Sequence, residues 1–292
     1  MTGDFRTVRV PASSANLGPG FDALAVALDV FLECRFRRAE RWSIRVSGRD
    51  AELISTGDDN LIRQIVGEPF DLEIRNAIPV GKGLGSSAAA VTAGVVIRAE
   101  GWDRARVLDE VARIEGHPDN ASACVLGGIV ASAMDSCGSV RAVKMGLPEK
   151  FGVAVIVPDF VVSTAEARAV LPETYSRADA IFNVQRAALL MAALGAGDAD
   201  AMRVALEDRL HHQYRYGLVP GLEEMAALRA PGLLGCVLSG AGPSVLVFYE
   251  RGSENVCQMV RGIFETRGRR AEILWTQVAQ RGYELLATNA HE

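Results

Sequence analysis

Residues 79–90 read PVGKGLGSSAAA, and the placement of the rest of the chain follows from how this segment is read. Gly81, Gly83 and Gly85 let the backbone come close to a ligand, while Ser86 and Ser87 open an apolar run that predicts a helix. The free amides and dipole of such a helix start favour an anion. Lys82 adds a compact positive charge, and the serine hydroxyls suit phosphate or a hard metal ion. The spacing is not a Walker A loop, because Gly81-Lys82 is followed by Gly83 rather than by Ser or Thr. Gly83, Gly85 and Ala88 do match the relaxed dinucleotide pattern G-x-G-x-x-A, with Asp103 downstream as a ribose-binding acid. That reading needs Asp103 at the end of a second parallel strand, whereas it opens a helix. Taken alone, the segment also fits a plain helix N-terminus behind a flexible turn.

Upstream, alternating stretches at 7–11, 31–37, 42–46 and 70–75 predict half-buried strands, the last delivering the chain to the glycine-rich loop. Between the first two lies PASSANLGPGFD (11–22), small and turn-forming after a strand expected to end at Pro11. It offers the amide of Asn16 and the carboxylate of Asp22 to a polar ligand, or simply a turn. Downstream, 86–100 is Ala- and Val-rich without a polar face, as in a helix buried on most sides. Asp103 to Gly116 predicts an amphipathic helix ending in the polar loop EGHPDN (115–120). There Glu115 and a neighbouring acid suit magnesium, which takes oxygen ligands.

Only four histidines are present, and a three-histidine zinc site would need His117 with the adjacent His211 and His212, which point about 100° apart on a helix. His117 also fits a capping role. FGVAVIVP (151–158) predicts a buried strand after a soft boundary near residue 148. Helices are expected at 178–194, 198–211 and 253–266, with a turn SGAGPS (239–244), a strand after it and a final strand pair. Arg168 in STAEAR and Arg215 in DRLHHQYR are candidate partners for a carboxylate, although single arginines are often surface residues.

Composition narrows the classes. With 49% hydrophobic and 23% charged residues the chain is globular rather than fibrous or disordered. Thirty-one Lys and Arg against 36 Asp and Glu give −5, so no global field invites nucleic acid or an anionic membrane. Five cysteines without C-x-x-C spacing argue against a disulfide framework and suit a cytoplasmic location. The first residues lack a leader pattern, and no uncharged run reaches the roughly 18 residues of a membrane helix.

Together, PASSANLGPGFD, PVGKGLGSSAAA, EGHPDN and SGAGPS, in this order, resemble the motifs of the GHMP kinases. The local patterns EGHPDN, STAEAR and DRLHHQYR are similar to those of the homoserine kinase branch. The resemblance implies an α+β two-lobe fold: an N-terminal ATP-binding lobe (1–148) with a left-handed βαβ unit, and a ferredoxin-like C-terminal lobe (149–292). It implies ATP with magnesium as cofactors and L-homoserine as substrate, in the step that activates homoserine for threonine synthesis; a homodimer is compatible with it. Asn60 and Pro79, Val80, Gly81, Lys82, Gly83, Leu84, Gly85, Ser86 and Ser87 match nucleotide positions, with Ser86 and Glu115 near the metal. Asn16, Asp22, His117, Asn120, Arg168, Arg215 and Gly242 match substrate positions; among all of these, Asn120, Glu115, Lys82 and Arg168 would act in the transfer. Another kinase of this type, an ATP-dependent decarboxylase and a non-catalytic ATP-binding relative are the rival readings. Two departures stand out: only about ten residues separate Asn60 from the strand at Phe70, and Ala123 stands where the pattern has proline.

Overall fold

Strand β1 (Arg6–Ala15) does not stop at Pro11 as expected. It bulges between Pro11 and Ala12, where a residue without an N–H is tolerated, and stays paired with β2 (Leu24–Arg38) up to Ala15. The computed structural model describes residues 4–287. The expected loop therefore shrinks to a tight turn in which Asn16, Leu17 and Asp22 adopt φ of 73°, 45° and 54°. Strands β3 (Ser43–Gly48) and β4 (Phe70–Asn76) pair in parallel, and the crossover between them carries the six-residue helix α1 (Leu61–Val66).

Helix α2 (Ser86–Arg98) is apolar on nearly every face because its residues from Ala88 to Ile97 are buried, except the half-buried Ala90. Asp103 caps α3 (Arg104–Glu115) by accepting the Arg106 N–H at 2.8 Å, and Gly116 ends it in the left-handed region. A capping Asp103 disposes of the dinucleotide reading. EGHPDN is not a loop beyond that helix: His117 is the N-cap of α4 (Pro118–Leu126), with Pro118 in the first turn, where its missing N–H costs nothing. Strands β5 (Ile129–Met134) and β6 (Val140–Met145) extend the first sheet from β2.

The second sheet is antiparallel, ordered β10 (Ala271–Thr276), β7 (Phe151–Pro158), β9 (Val245–Glu250), β8 (Leu233–Leu238). Counted along the lobe this is 4-1-3-2, the ferredoxin-like arrangement. Between β7 and β8 come α5 (Thr164–Ala169), α6 (Arg177–Ala196), α7 (Ala199–Ala205), the single turn α8 (His212–Arg215) and α9 (Leu222–Ala227); α10 (Val256–Thr266) links β9 to β10. The helix expected over 198–211 stops at Ala205, because the Asp208 side chain takes the N–H groups of Leu210, His211 and His212. The expected final strand pair separates: β10 joins the second sheet, while β11 (Glu284–Ala287) pairs with β1 in the first. One core runs through both lobes, with Val10 and Leu28 in the same cluster as Val153, Leu206 and Phe248.

Candidate active site

A cleft of about 400 Å³ lies between the lobes at the N-terminus of α2. Gly81, Gly83 and Gly85 have φ of 69°, 76° and 66°, so the loop turns back on itself without strain. A Cβ on Gly83 would stand 2.2 Å from Ser239 O, and one on Gly85 would stand 2.0 Å from Ser13 Oγ. The loop is thus clamped between β1 and the 239–244 turn, and Leu84, 1% exposed, anchors it. Ser239 Oγ lies 2.7 Å from Gly83 O and 2.8 Å from Ser14 Oγ. Among the described residues no side chain caps α2, which leaves its first amides to meet a ligand.

Pro79, Gly81, Gly83, Leu84, Gly85, Ser86 and Ser87 line the cleft. Val80 does not; its N–H donates to Asp50 Oδ2 at 2.9 Å. Lys82 is turned away, its ammonium donating to Pro158 O (2.9 Å) and Phe160 O (2.7 Å) of the second lobe. These two bonds keep the ammonium out of the cleft, and burial lowers its pKa. Asn60 is 4% exposed and is not among the lining residues. It caps α1, accepting from Arg63 N–H at 3.1 Å and donating to Ser55 O at 2.6 Å. Gly242 stands behind the loop against Gly83, while Gly240 and Ala241 reach the cleft.

Glu115 ends α3 beside the loop, accepting the Ser87 hydroxyl at 2.9 Å; burial pushes its pKa up, and the Ser87 bond and nearby His117 oppose that. His117 Nδ1 lies 2.5 Å from Asp119 Oδ1, and this bond holds the imidazole pKa up. Asp119, 1% exposed, also accepts the Asn120 N–H at 2.6 Å, and Asn120 Oδ1 accepts from Ser13 Oγ at 2.8 Å. Across the cleft Arg168 of α5 grips both oxygens of Asp22 at 2.9 and 3.2 Å. Asn16 holds the Asp22 main chain, accepting the backbone N–H of Asp22 at 3.1 Å and donating to Gly240 O at 3.1 Å. Arg215, 2% exposed, donates to the same Gly240 carbonyl at 3.1 Å. The Phe21 ring lies 5.6 Å from the Arg168 guanidinium carbon and 5.7 Å from that of Arg215, within cation–π range.

Sequence reading gave Asp119 no role beyond that of a second acid in EGHPDN, and missed Phe21, Ser13 and Ser239. Asp119 had a usable signal, an acid just inside a helix that begins with proline; the serines and Phe21 had none, because their partners are distant in the chain.

Two lobes meeting over a helix N-terminus, with a half-buried carboxylate beside it and paired charges opposite, form a site suited to a polyphosphate and a second charged small molecule. Residues 53–128 match the family described as GHMP kinases N terminal domain. The chain is 58% identical to homoserine kinase of Solibacter usitatus over 95% of its length and 96% of that protein. It is 42% identical to homoserine kinase of Deinococcus radiodurans over 85% of each. The crystal structure of homoserine kinase from Cytophaga hutchinsonii superposes with a TM-score of 0.84 at 25% identity, covering 97% of this chain and 98% of that one. Lactococcus lactis galactokinase, complexed with galactose, shares the fold with a TM-score of 0.67 at 16% identity, over 96% and 95% of the two chains. This chain belongs to the homoserine kinase family of the GHMP kinases.

Proposed function

We propose that the chain transfers the γ-phosphoryl group of ATP to the side-chain hydroxyl of L-homoserine, the step that activates it for threonine synthesis. The observation that carries this is the juxtaposition, in one cleft, of the free α2 N-terminus with Asp22, Arg168 and Arg215. The first suits a polyphosphate; the others suit the ammonium and carboxylate of an amino acid. The high identity to homoserine kinases over nearly the whole chain supports the same substrate.

In this reading the triphosphate lies along Gly81 and Gly83–Ser87. Asp22 takes the ammonium, Arg215 and Arg168 the carboxylate, and Asn16 and His117 frame the substrate. Asn120 stands nearest the hydroxyl that is phosphorylated; an amide accepts no proton, so positioning and charge neutralisation carry the transfer. The Lys82 contacts favour pinning the loop to the second lobe over touching phosphate. Magnesium fits the donors present: Glu115 is a half-buried carboxylate with the Ser86 and Ser87 hydroxyls beside it, all hard oxygens. When bound, the ion would neutralise phosphate charge. Asn60 supports the adenine side through α1 rather than by direct contact.

A cytoplasmic location is part of the proposal, supported by five free cysteines, four of them buried. Among the described residues no helix is long and apolar enough to cross a membrane. A small-molecule rather than nucleic-acid partner fits the net charge of −5. A homodimer is supported by the exposed apolar Ile181 (50%) and Val184 (70%) on α6, and sedimentation tests it.

A coupled assay with ATP, magnesium and a panel of homoserine, threonine, mevalonate and galactose decides the function. Homoserine is expected to be turned over far better than the rest. Turnover of another alcohol in its place sinks the assignment, and ATP binding without turnover of any favours a non-catalytic relative, which the six-residue α1 keeps in view.

A further inference from the structure

Arg215 has committed most of its donors before any ligand arrives. Nε donates to Ala167 O at 3.0 Å, and Nη1 donates to Gly240 O and to Nδ1 of His211, each at 3.1 Å. Among the described residues Nη2 has no protein partner, and Arg215 lines the cleft. The orientation of that one free edge depends on what holds the other two nitrogens.

His211 is 0% exposed, and its Nε2 lies 2.8 Å from Gly18 O. A carbonyl only accepts, so Nε2 carries the proton and Nδ1 presents the lone pair that Arg215 uses. Asp208 fixes the backbone that carries the ring: it accepts the backbone N–H groups of His211 (2.9 Å) and His212 (2.7 Å) and the Asn183 side-chain amide (2.8 Å). His212 ties the turn to β8 by accepting the Leu238 N–H at 3.1 Å. Asp208, His211 and His212 bring ligand atoms within 4.8 Å of one another. Because each is already engaged in these bonds, they form a hydrogen-bonded support rather than a metal site. Burial and the neighbouring guanidinium keep His211 neutral. That neutrality matters: a carboxylate at this position would orient Arg215 and also cancel its charge, whereas an imidazole orients it and leaves the charge for the ligand.

We propose that His211, held by Asp208, is a positioning residue that aims Nη2 of Arg215 at the substrate carboxylate without itself touching the substrate. The proposal rests on the homoserine reading above and adds what makes the carboxylate subsite selective.

Two substitutions separate positioning from general structural support, because asparagine places an acceptor where Nδ1 stands and glutamine places a donor where Nε2 stands. His211→Gln keeps the link to Gly18 and loses the acceptor for Arg215; it is expected to raise the KM for homoserine about tenfold or more, with kcat and the KM for ATP nearly unchanged. His211→Asn is expected to stay close to the native KM. The substrate 3-amino-1-propanol, homoserine without its carboxylate, should be used equally well by the native enzyme and the Gln variant. Asn as damaging as Gln, an equal rise in the KM for ATP, or a Gln variant indistinguishable from native overturns the role of His211 alone. Absence of homoserine turnover in the native enzyme overturns the substrate reading, and this proposal with it. Asp208→Asn, which disturbs His211 without removing it, is the second arm should Gln not fold. It is expected to raise the homoserine KM selectively, and an equal rise in both KM values counts against the proposal.

Discussion

Glu115 is kept in an uncomfortable state: its carboxylate is half-buried beside a helix N-terminus, and desolvation raises its pKa more than Ser87 lowers it. A carboxyl whose folded pKa is raised stabilises the fold at acid pH and loses that contribution as pH rises through the folded value. In chelator, Glu115→Gln should therefore melt higher than the native protein at pH 8 and show no gain at pH 4, by differential scanning fluorimetry. The same variant should lose about a hundredfold or more in kcat with magnesium and ATP, if the carboxylate holds the ion. Arg215 makes the opposite prediction. Removing it deletes one side of a carboxylate contact, so Arg215→Ala should raise the homoserine KM about a hundredfold while the KM for ATP moves little, measured in steady-state assays below the melting temperature.

At the scale of elements, the phosphate loop is held by close backbone approach rather than by side chains. Gly83 shows this most sharply, with φ of 76° and no room for a Cβ against Ser239 O. Gly83→Ala should cost about 2–4 kcal/mol, from the left-handed backbone and the clash together. It should also weaken ATP binding, because relief of the clash moves the loop. Gly67, the C-cap of α1, has a similar φ of 78° and, among the described residues, no atom within 4 Å of a Cβ, so Gly67→Ala should cost only about 1 kcal/mol and leave ATP binding alone. Urea unfolding and nucleotide titration of both variants check the pair. Helix α1 explains the short segment after Asn60: the Asn60 cap starts it, and its six residues are the α-helical part of the parallel β3–β4 crossover over 49–69.

At the scale of the molecule the two lobes are not independent. The first core contains residues of both sheets, the Lys82 ammonium reaches second-lobe carbonyls, and the chain returns after β10 to bridge Leu28 with Val278 and to pair β11 with β1. Calorimetry of the whole chain should therefore show one transition. Residues 1–148 expressed alone should not unfold cooperatively, since they lack Val278, Ala279 and Tyr283, each under 9% exposed against the first sheet and its helices. Two separate transitions, or a stable 1–148 fragment, would contradict this. A cleft built across such a junction stays aligned because the same packing that folds the protein holds its two walls together.

What the sequence by itself determined is the set of features that short-range physics controls. The Ala- and Val-rich run after Gly85 had to be a buried helix, Asp103 and Gly116 had to bracket one, and FGVAVIVP had to be a covered strand. Gly81, Gly83 to Ser87, Glu115, Arg168 and Arg215, which line the cleft, were singled out through their resemblance to the GHMP kinase motifs and not by short-range physics. Only the tertiary structure decided where the side chains went. Lys82 finds carbonyls 76 and 78 residues away and turns from the cleft, Asn60 is consumed as a cap, and Asp119, Phe21 and His211 acquire roles from neighbours that periodicity does not reveal. Backbone conformation answers to adjacent residues, but the partner of a polar side chain is chosen by whatever folding brings within three ångströms of it.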